Sequence, residues 1–367
     1  MRPAPPPGPE PGGPPEGGSE LAARIRAWGR ALGLQAIGFT GVDPGPAEAH
    51  LLEWLARGHQ GGMDWMARHG TRRSRPAELV PGTRTVISAR MGYLSAVAAP
   101  SAKVLADPML GHVSRYALGR DYHEVLRRRL RQLALRIAEA IGPFAHRVFV
   151  DSAPVLEKPL AAQAGLGWVG KHTSLLSRDA GSWFFLGEIY TDLELPHDAP
   201  GGSHCGRCTA CIDACPTGAI VAPYRLDARR CIAYLTIELQ GPIPVEMRPR
   251  MGNRVFGCDD CQLACPWNRF ARPTPEADFL PRDGLDAPRL LELFAWTEEQ
   301  FRERTAGSPL RRTGYERWLR NLAVALGNAP TRPEVVEALR WRQGHPSALV
   351  REHVLWALGR HESAHGE

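Results

Sequence analysis

The chain has 367 residues, 43% of them hydrophobic and 23% charged, with a formal net charge of +6. That length admits two or three domains that each bury a core, and the balance of apolar and charged residues excludes general disorder. No run of 18 or more apolar residues occurs and no apolar stretch of signal-peptide length opens the chain, so a soluble cytoplasmic protein without a membrane span is expected.

Residues 1–18, "MRPAPPPGPEPGGPPEGG", are nearly all proline, glycine and glutamate, a composition that predicts a mobile extended tail outside the fold. "SELAARIRAWGRALG" then reads as a helix capped by Ser19, with Leu21, Ile25, Trp28 and Leu32 on one face. "TRTVISARMGYL" (83–94) predicts a strand. "YHEVLRRRLRQLALRIAEAI" places Leu126, Leu130, Leu133, Ile137 and Ile141 on one helical face. "HRVFVDS" (146–152) and "SWFFLGEIYTDL" (182–193) predict two more strands, and this mixture predicts an α+β or α/β domain over residues 19–200.

Residues 201–272 carry all eight cysteines and too little hydrophobic patterning to fold without metal. From 273 to 367 short amphipathic segments separated by glycine and proline predict helix pairs stacked as in an α-solenoid. The cations are arginines except for Lys103, Lys158 and Lys171. Arginine-biased codon usage and a polyanionic partner both explain this, so charge alone leaves nucleic-acid binding open.

The cysteine spacing is the most specific signal. In a reducing compartment such thiols read as metal ligands rather than disulfides. Zinc sites usually present two separated pairs, whereas Cys205, Cys208 and Cys211 step evenly and Cys215 precedes Pro216. That is the C-x2-C-x2-C-x3-C-P run of a four-iron cubane, whose fourth cysteine serves a second cluster. "VFGCDDCQLACPW" repeats the last three positions as Cys258, Cys261 and Cys265 but has Val255 at the first. Cys231 supplies the missing thiolate in this reading. One cluster then takes Cys205, Cys208, Cys211 and Cys265, and the other takes Cys215, Cys231, Cys258 and Cys261. Two adjacent cubanes form an electron conduit, and the domain before them is the place for its destination.

Two stretches of that domain suggest a cofactor pocket. "GLGWVGKHTSLLS" (165–177) offers glycines for close approach and Lys171, Thr173 and Ser174 for polar groups, although a packed glycine turn has the same look. "VDSAPVLEKPLA" (150–161) puts Asp151 at a strand end, where apolar surroundings that raise a carboxyl's pKa suit it to proton delivery; a capping or turn aspartate is the plain alternative. Together with "GGMDWMARHGTRRSRPAELVPGTRTVISARMGYL", "RYALGRDYHEVL", "GSWFFLGEIYTDL", "CIAYLTIELQGPIP", "GNRVFGCDDCQLACPWN" and "SPLRRTGYERWLRNLAVALGN", these stretches resemble, in order, the epoxyqueuosine reductases, cobalamin-dependent iron–sulfur enzymes that complete queuosine in tRNA.

The resemblance implies a cobalamin-binding α+β or α/β domain, a ferredoxin-like module with two [4Fe-4S] clusters, and a HEAT-like helical domain that binds tRNA. It implies a base-off cobalamin, in keeping with the absence of a D-x-H-x-x-G run, and contacts from Arg73, Ser114, Asp151, Leu175, Leu186, Cys258 and Asp259. It makes Asp151 the proton donor for reduction of the epoxide of epoxyqueuosine at the tRNA wobble position. The partners implied are the tRNA anticodon stem-loop and an external low-potential electron donor, with a monomeric chain. In "RRTGYERWLR", Arg311, Arg312, Arg317 and Arg320 beside Tyr315 and Trp318 are expected to meet phosphates. Two positions depart from the family pattern, His172 for asparagine and Ala233 for serine. A reductive dehalogenase and a ferredoxin-type carrier with a helical interaction domain are the competing readings.

Overall fold

The computed structural model describes residues 16–363, so the expected tail lies outside the described residues except for its last three. Those three are helical: helix α1 spans Glu16–Ala31 and begins before Ser19, which is therefore not its cap. The first turn finds a surface to lie on, since Gly18 packs against the Glu194 carbonyl and Pro196. The expected apolar face is present, with Ala22, Ile25 and Leu32 buried.

Strands β1 (Ala36–Thr40), β2 (Thr85–Gly92), β3 (His112–Val113), β4 (His146–Phe149), β5 (Phe184–Thr191) and β6 (Arg254–Phe256) position the site. The main sheet runs β1-β2-β5-β4 with every neighbour antiparallel, which decides for α+β over α/β. Helix α2 (Tyr122–Ile141) covers one face with Leu126, Leu130, Leu133 and Ile137, all fully buried, while Ile141 at its end is exposed. Each such side chain contributes roughly 1.5–3 kcal/mol of burial. Gly187 makes the close approach possible, because a Cβ there would stand 2.7 Å from Leu130. Helix α3 (Glu157–Gln163) covers the other face with Leu160 and Ala161.

A second core joins the rest of the chain. β3 pairs in parallel with β6, and Val113, Leu118 and Phe256 share one apolar cluster with Trp318, Leu322 and Val354. These last three lie on helices α5 (Tyr315–Gly327) and α6 (Ala348–Ser363), and α4 (Ile232–Ile237) packs beside α5. Within 273–367, Leu290–Ala295 and Glu298–Arg304 are separate helices, and Thr297 and Gln300 form a reciprocal capping box that starts the second.

The basic surface expected on α5 needs correction. Trp318 and Arg320 are fully buried. Arg320 donates to the carbonyls of Leu235 (2.6 Å), Leu239 (2.7 Å) and Gly241 (2.8 Å), closing the C-terminal end of α4, whose carbonyls lack helical partners. Arg317 donates to Ile237 O (2.8 Å) and Arg312 O, so only Arg311 and Arg312 remain exposed. Replacing Arg320 with Met strands three carbonyls. We expect Arg320→Met to lose roughly 3 kcal/mol in chemical denaturation, and unchanged stability would show that the guanidinium is dispensable.

Candidate active site

A cavity of about 470 Å³ lies where the sheet domain meets the cysteine module. Phe184, Phe185 and Leu186 at the start of β5 form one wall with Tyr93 just past β2. Ala233, Tyr234 and Ile237 of α4 face them, flanked by Cys231 and Cys258. Side-chain amides sew the halves together: Gln262 Nε2 donates to Ser182 O (3.0 Å), and Asn268 Oδ1 accepts from Ser182 N (2.7 Å). The lining mixes apolar side chains with the hydroxyls of Ser114, Ser174 and Ser182 and the charged groups of Asp151, Glu157, Lys158 and Glu238, and no histidine is among the lining residues.

Asp151 lines this cavity from the turn after β4, in a left-handed backbone conformation with φ of 33° that a non-glycine residue adopts at a cost. Its carboxylate accepts a short hydrogen bond from the Tyr122 hydroxyl, and His123 Nε2 lies 3.3 Å from its Oδ2, an ion-pair separation. The far nitrogen of His123, Nδ1, sits 2.7 Å from Asp121 Oδ1. Burial works to raise the Asp151 carboxyl, but the His123 imidazolium and the Tyr122 hydroxyl, helped by Lys158, outweigh it and hold the group below its ordinary value. The expected apolar upshift is therefore reversed. Burial likewise opposes charge on His123, yet its two aspartate neighbours raise it to about 9.

The upshifted carboxyls are elsewhere. Glu157, at the start of α3, lines the cavity and is pushed up to about 8 by burial and then by the Asp151 charge. Glu188 of β5 is wholly buried opposite Ser88, with neither carboxylate oxygen hydrogen-bonded. Burial, then Glu157 and Asp151, raise it well above the carboxylate range.

The eight thiols are all free and gather in two places. Cys205, Cys208, Cys211 and Cys265 surround a second hollow of about 280 Å³. Burial pushes Cys211 up to about 11, and Cys265, Cys205 and Cys208 are the thiols near enough to add to it. Burial also raises Cys261, with Cys231 and Cys215 as its closest thiol neighbours, and Cys258 feels Cys231. Among the described residues no three His, Cys, Asp or Glu converge on a point that one ion would fill. Cys205, Cys208, Cys211 and Cys265 instead stand around an open volume, and Cys231 and Cys258 border the main cavity.

Of the cofactor contacts expected from sequence, Ser114, Asp151, Leu175, Leu186 and Cys258 line the main cavity together. Asp259 stands behind them, fully buried, accepting from the Ser114 hydroxyl and from Arg115 N (2.8 Å). Arg73 is not among the lining residues: it is buried, with Nε and Nη2 donated to the carbonyls of Met66 (2.9 Å) and Trp65 (3.0 Å). Lys171 is also structural, donating to Gly206 O (2.7 Å) and Cys208 O (2.9 Å), where a polar cofactor contact was expected. Ala233 lies on the cavity wall, so the missing hydroxyl is missing there. His172 lies by the other hollow, neutral, its pKa lowered by burial to about 4. Sequence reasoning missed Tyr122, His123, Glu157 and Glu188. "DYHE" and "VLEK" carry the first three, but nothing in their spacing shows that they meet.

Two profiles of known families match the chain. "4Fe-4S double cluster binding domain" covers residues 204–268, and "Epoxyqueuosine reductase QueG, DUF1730" covers residues 73–152. A double-cluster module set against a walled cavity with its own acid and imidazolium is the plan of an iron–sulfur oxidoreductase. Epoxyqueuosine reductase of Pseudomonas aeruginosa is 64% identical over 342 residues, 93% of this chain and 94% of that protein. The Escherichia coli K12 protein of the same name is 58% identical over 92% of this chain and 89% of its own length. At that identity and coverage the chain belongs to the epoxyqueuosine reductase family. A solved epoxyqueuosine reductase with a tRNA-Tyr epoxyqueuosine-modified stem loop superposes with a TM-score of 0.85 at 27% identity, covering 93% of this chain and 90% of that one. The Bacillus subtilis enzyme, solved with its catalytic aspartate loop swung out of the active site, gives 0.84 at 27% identity, with the same coverage.

Protonated His123 is favoured in the fold, since its pKa rises from 6.5 to about 9. That stabilisation is fully present below pH 6.5 and is lost as pH rises through about 9. We expect the melting-temperature gap between the wild type and His123→Asn to narrow over that window. A gap that stays constant with pH would show that the imidazole is neutral in the fold.

Proposed function

We propose that the main cavity binds cobalamin and the epoxyqueuosine base of a tRNA anticodon loop, and that the bound epoxide is reduced to the alkene with loss of water. The observation that carries this is that one cavity touches both a proton-handling group, Asp151, and two thiols of one cysteine set, Cys231 and Cys258. Electrons and protons reach the same space from opposite walls.

The residues present fit the cofactor. A macrocycle edged by amides suits a cavity that sets the apolar Phe184, Leu175 and Leu186 beside the hydroxyls of Ser114, Ser174 and Ser182, and the lack of a lining histidine suits a base-off corrin. Ser114, Leu175, Leu186, Cys258 and Asp259 would hold it, with Asp151 facing the substrate; Arg73 would act only by bracing the 65–66 carbonyls. When bound, cobalamin supplies a metal centre that passes electrons to the substrate carbon. The cluster assignment follows the two thiol groups: Cys205, Cys208, Cys211 and Cys265 for one [4Fe-4S] cluster, and Cys215, Cys231, Cys258 and Cys261 for the other, nearer the cavity.

The chain's own work is proton delivery. An epoxide oxygen leaves as alkoxide unless protonated, and an acid placed there is worth about 10²–10⁴ in rate. Asp151 rests ionised, so the proton must pass through it. His123 Nε2, 3.3 Å away, is a cationic donor within reach, and Glu157 is a second holder on the cavity lining. The net reaction takes two electrons and two protons.

A smaller hollow beside the cavity joins Asp151, His123 and Glu238 to Arg311 and Arg312. This supports an approach in which the two arginines meet anticodon phosphates while a splayed base enters toward Asp151. The C-terminal helices, stacked in HEAT-like pairs, would hold the stem. All these parts lie on one chain, which supports a monomer.

Incubation with epoxyqueuosine-containing tRNA, cobalamin and dithionite, followed by nucleoside mass analysis, should give queuosine; unchanged substrate with intact clusters and bound corrinoid would overturn the function. Asp151→Asn should keep clusters and corrinoid while turnover falls by about 10²-fold or more. Wild-type activity should fall as pH rises through about 9, and His123→Asn should lose that limb. Cys231→Ala should purify with one cubane by iron and sulfide analysis. Two intact cubanes would refute the ligand grouping.

A further inference from the structure

The two thiol groups differ in what they face. Cys231 and Cys258 look into the cavity, whereas Cys208 is exposed and Cys205 partly so, on the loop 204–208. That loop is held firmly: Lys171, itself buried, gathers the carbonyls of Gly206 and Cys208 from below. Around its rim stand Arg178, Arg207 and Arg269, all exposed. Among the described residues none of the three has a carboxylate partner: Arg178 bonds to His204, and Arg269 lies over the ring of Phe270. The nearby carboxylates are engaged, Asp179 by Arg90 and Asp213 by Thr209. Phe270, 42% exposed, adds an apolar point at the edge of the same hollow.

We propose that this rim is the docking face for an acidic one-electron carrier protein, which delivers electrons to the cluster held by Cys205, Cys208, Cys211 and Cys265. The inference rests on the cluster assignment of the proposed function. Its physical basis is that electron transfer between proteins needs a short edge-to-edge approach but only a small, transient contact. Unpaired positive charge around an exposed ligand speeds that encounter without making it tight. Lys171 keeps the contact loop in one shape, so little order has to be gained on docking. In each encounter the carrier loses one electron and the cluster gains one; no bond forms and no proton moves.

The test uses the cluster-loaded full chain without corrinoid and a flavodoxin reduced to its hydroquinone. Cluster reduction is followed by rapid-freeze electron paramagnetic resonance. For the wild type the second-order rate should fall steeply with added salt, because exposed charges are screened over about 10 Å at 0.1 M. Arg207→Glu with Arg269→Glu should slow the reaction about tenfold at low salt and flatten the salt dependence, while reduction by dithionite stays at the wild-type rate. Arg340→Glu, a charge reversal on the C-terminal helices away from the rim, is the control and should leave the carrier's rate unchanged. A salt-independent wild-type rate, a double variant reduced at full speed, or an equal effect from Arg340→Glu would each overturn the docking face. Loss of tRNA stem-loop affinity by the same factor would reassign the patch to nucleic acid. Failure of epoxide reduction itself is read separately, on the nucleosides, and leaves these rates untouched.

Discussion

The site depends on one short seam, the parallel pairing of β3 with β6. Segments about 140 residues apart in sequence are brought together there by His112 N donating to Asn253 O (2.8 Å) and Ser114 N donating to Phe256 O (2.8 Å). The Ser114 hydroxyl then bonds to Asp259, and Ser114 on one side and Cys258 on the other both line the cavity. Arg320 reinforces it from below by holding α4, and Asn321 donates to Thr236 O and Val255 O (2.9 Å each). The helices after residue 273 thus buttress the floor of the active site. Few backbone bonds do this work, and the side-chain bonds of Ser114, Arg320 and Asn321 supplement them in fixing the relative placement of acid and thiols.

Three carboxyls crowd the inner wall. The Asp151 charge raises Glu157, and both raise the wholly buried Glu188, so three like charges this close do not all ionise. The fold settles the matter by giving one of them a cation. Asp151 has His123 and Tyr122, whereas Glu188 has nothing to accept from, so the negative charge sits at the cavity and the protonated carboxyl behind it. Groups of the same chemical type, pushed apart by their surroundings, divide acid and base work in this way.

Much of the fold was legible in the sequence because its signals are local. Helix α2 shows its apolar stripe, β2 and β5 show their apolar runs, and the cysteine steps show the double-cluster module. What sequence hid is set by tertiary contact. Arg320 and Arg311 look alike in "RRTGYERWLR", and only the packing of α5 against α4 buries one and exposes the other. The pKa direction of Asp151 was misjudged for the same reason: apolar neighbours are visible in "VDSAPVLE", but the imidazolium that overrides them comes from the start of another element. Lys171 in a glycine-rich run suggests a ligand contact, yet its role is to tie a loop that lies more than 30 residues on in sequence.

The backbone at Asp151 has a consequence of its own. A left-handed conformation costs an ordinary residue roughly 1–2 kcal/mol, which glycine would avoid while bringing no carboxyl. The turn is therefore wound, and the catches on it are the bonds from Tyr122 and His123 to the carboxylate. Both catches grip the charged form. Once the carboxylate has taken up a proton its grip weakens, and once the proton is passed on it tightens again. In the proposed reaction the proton that Asp151 carries would thus also slacken and tighten the catches on its own turn.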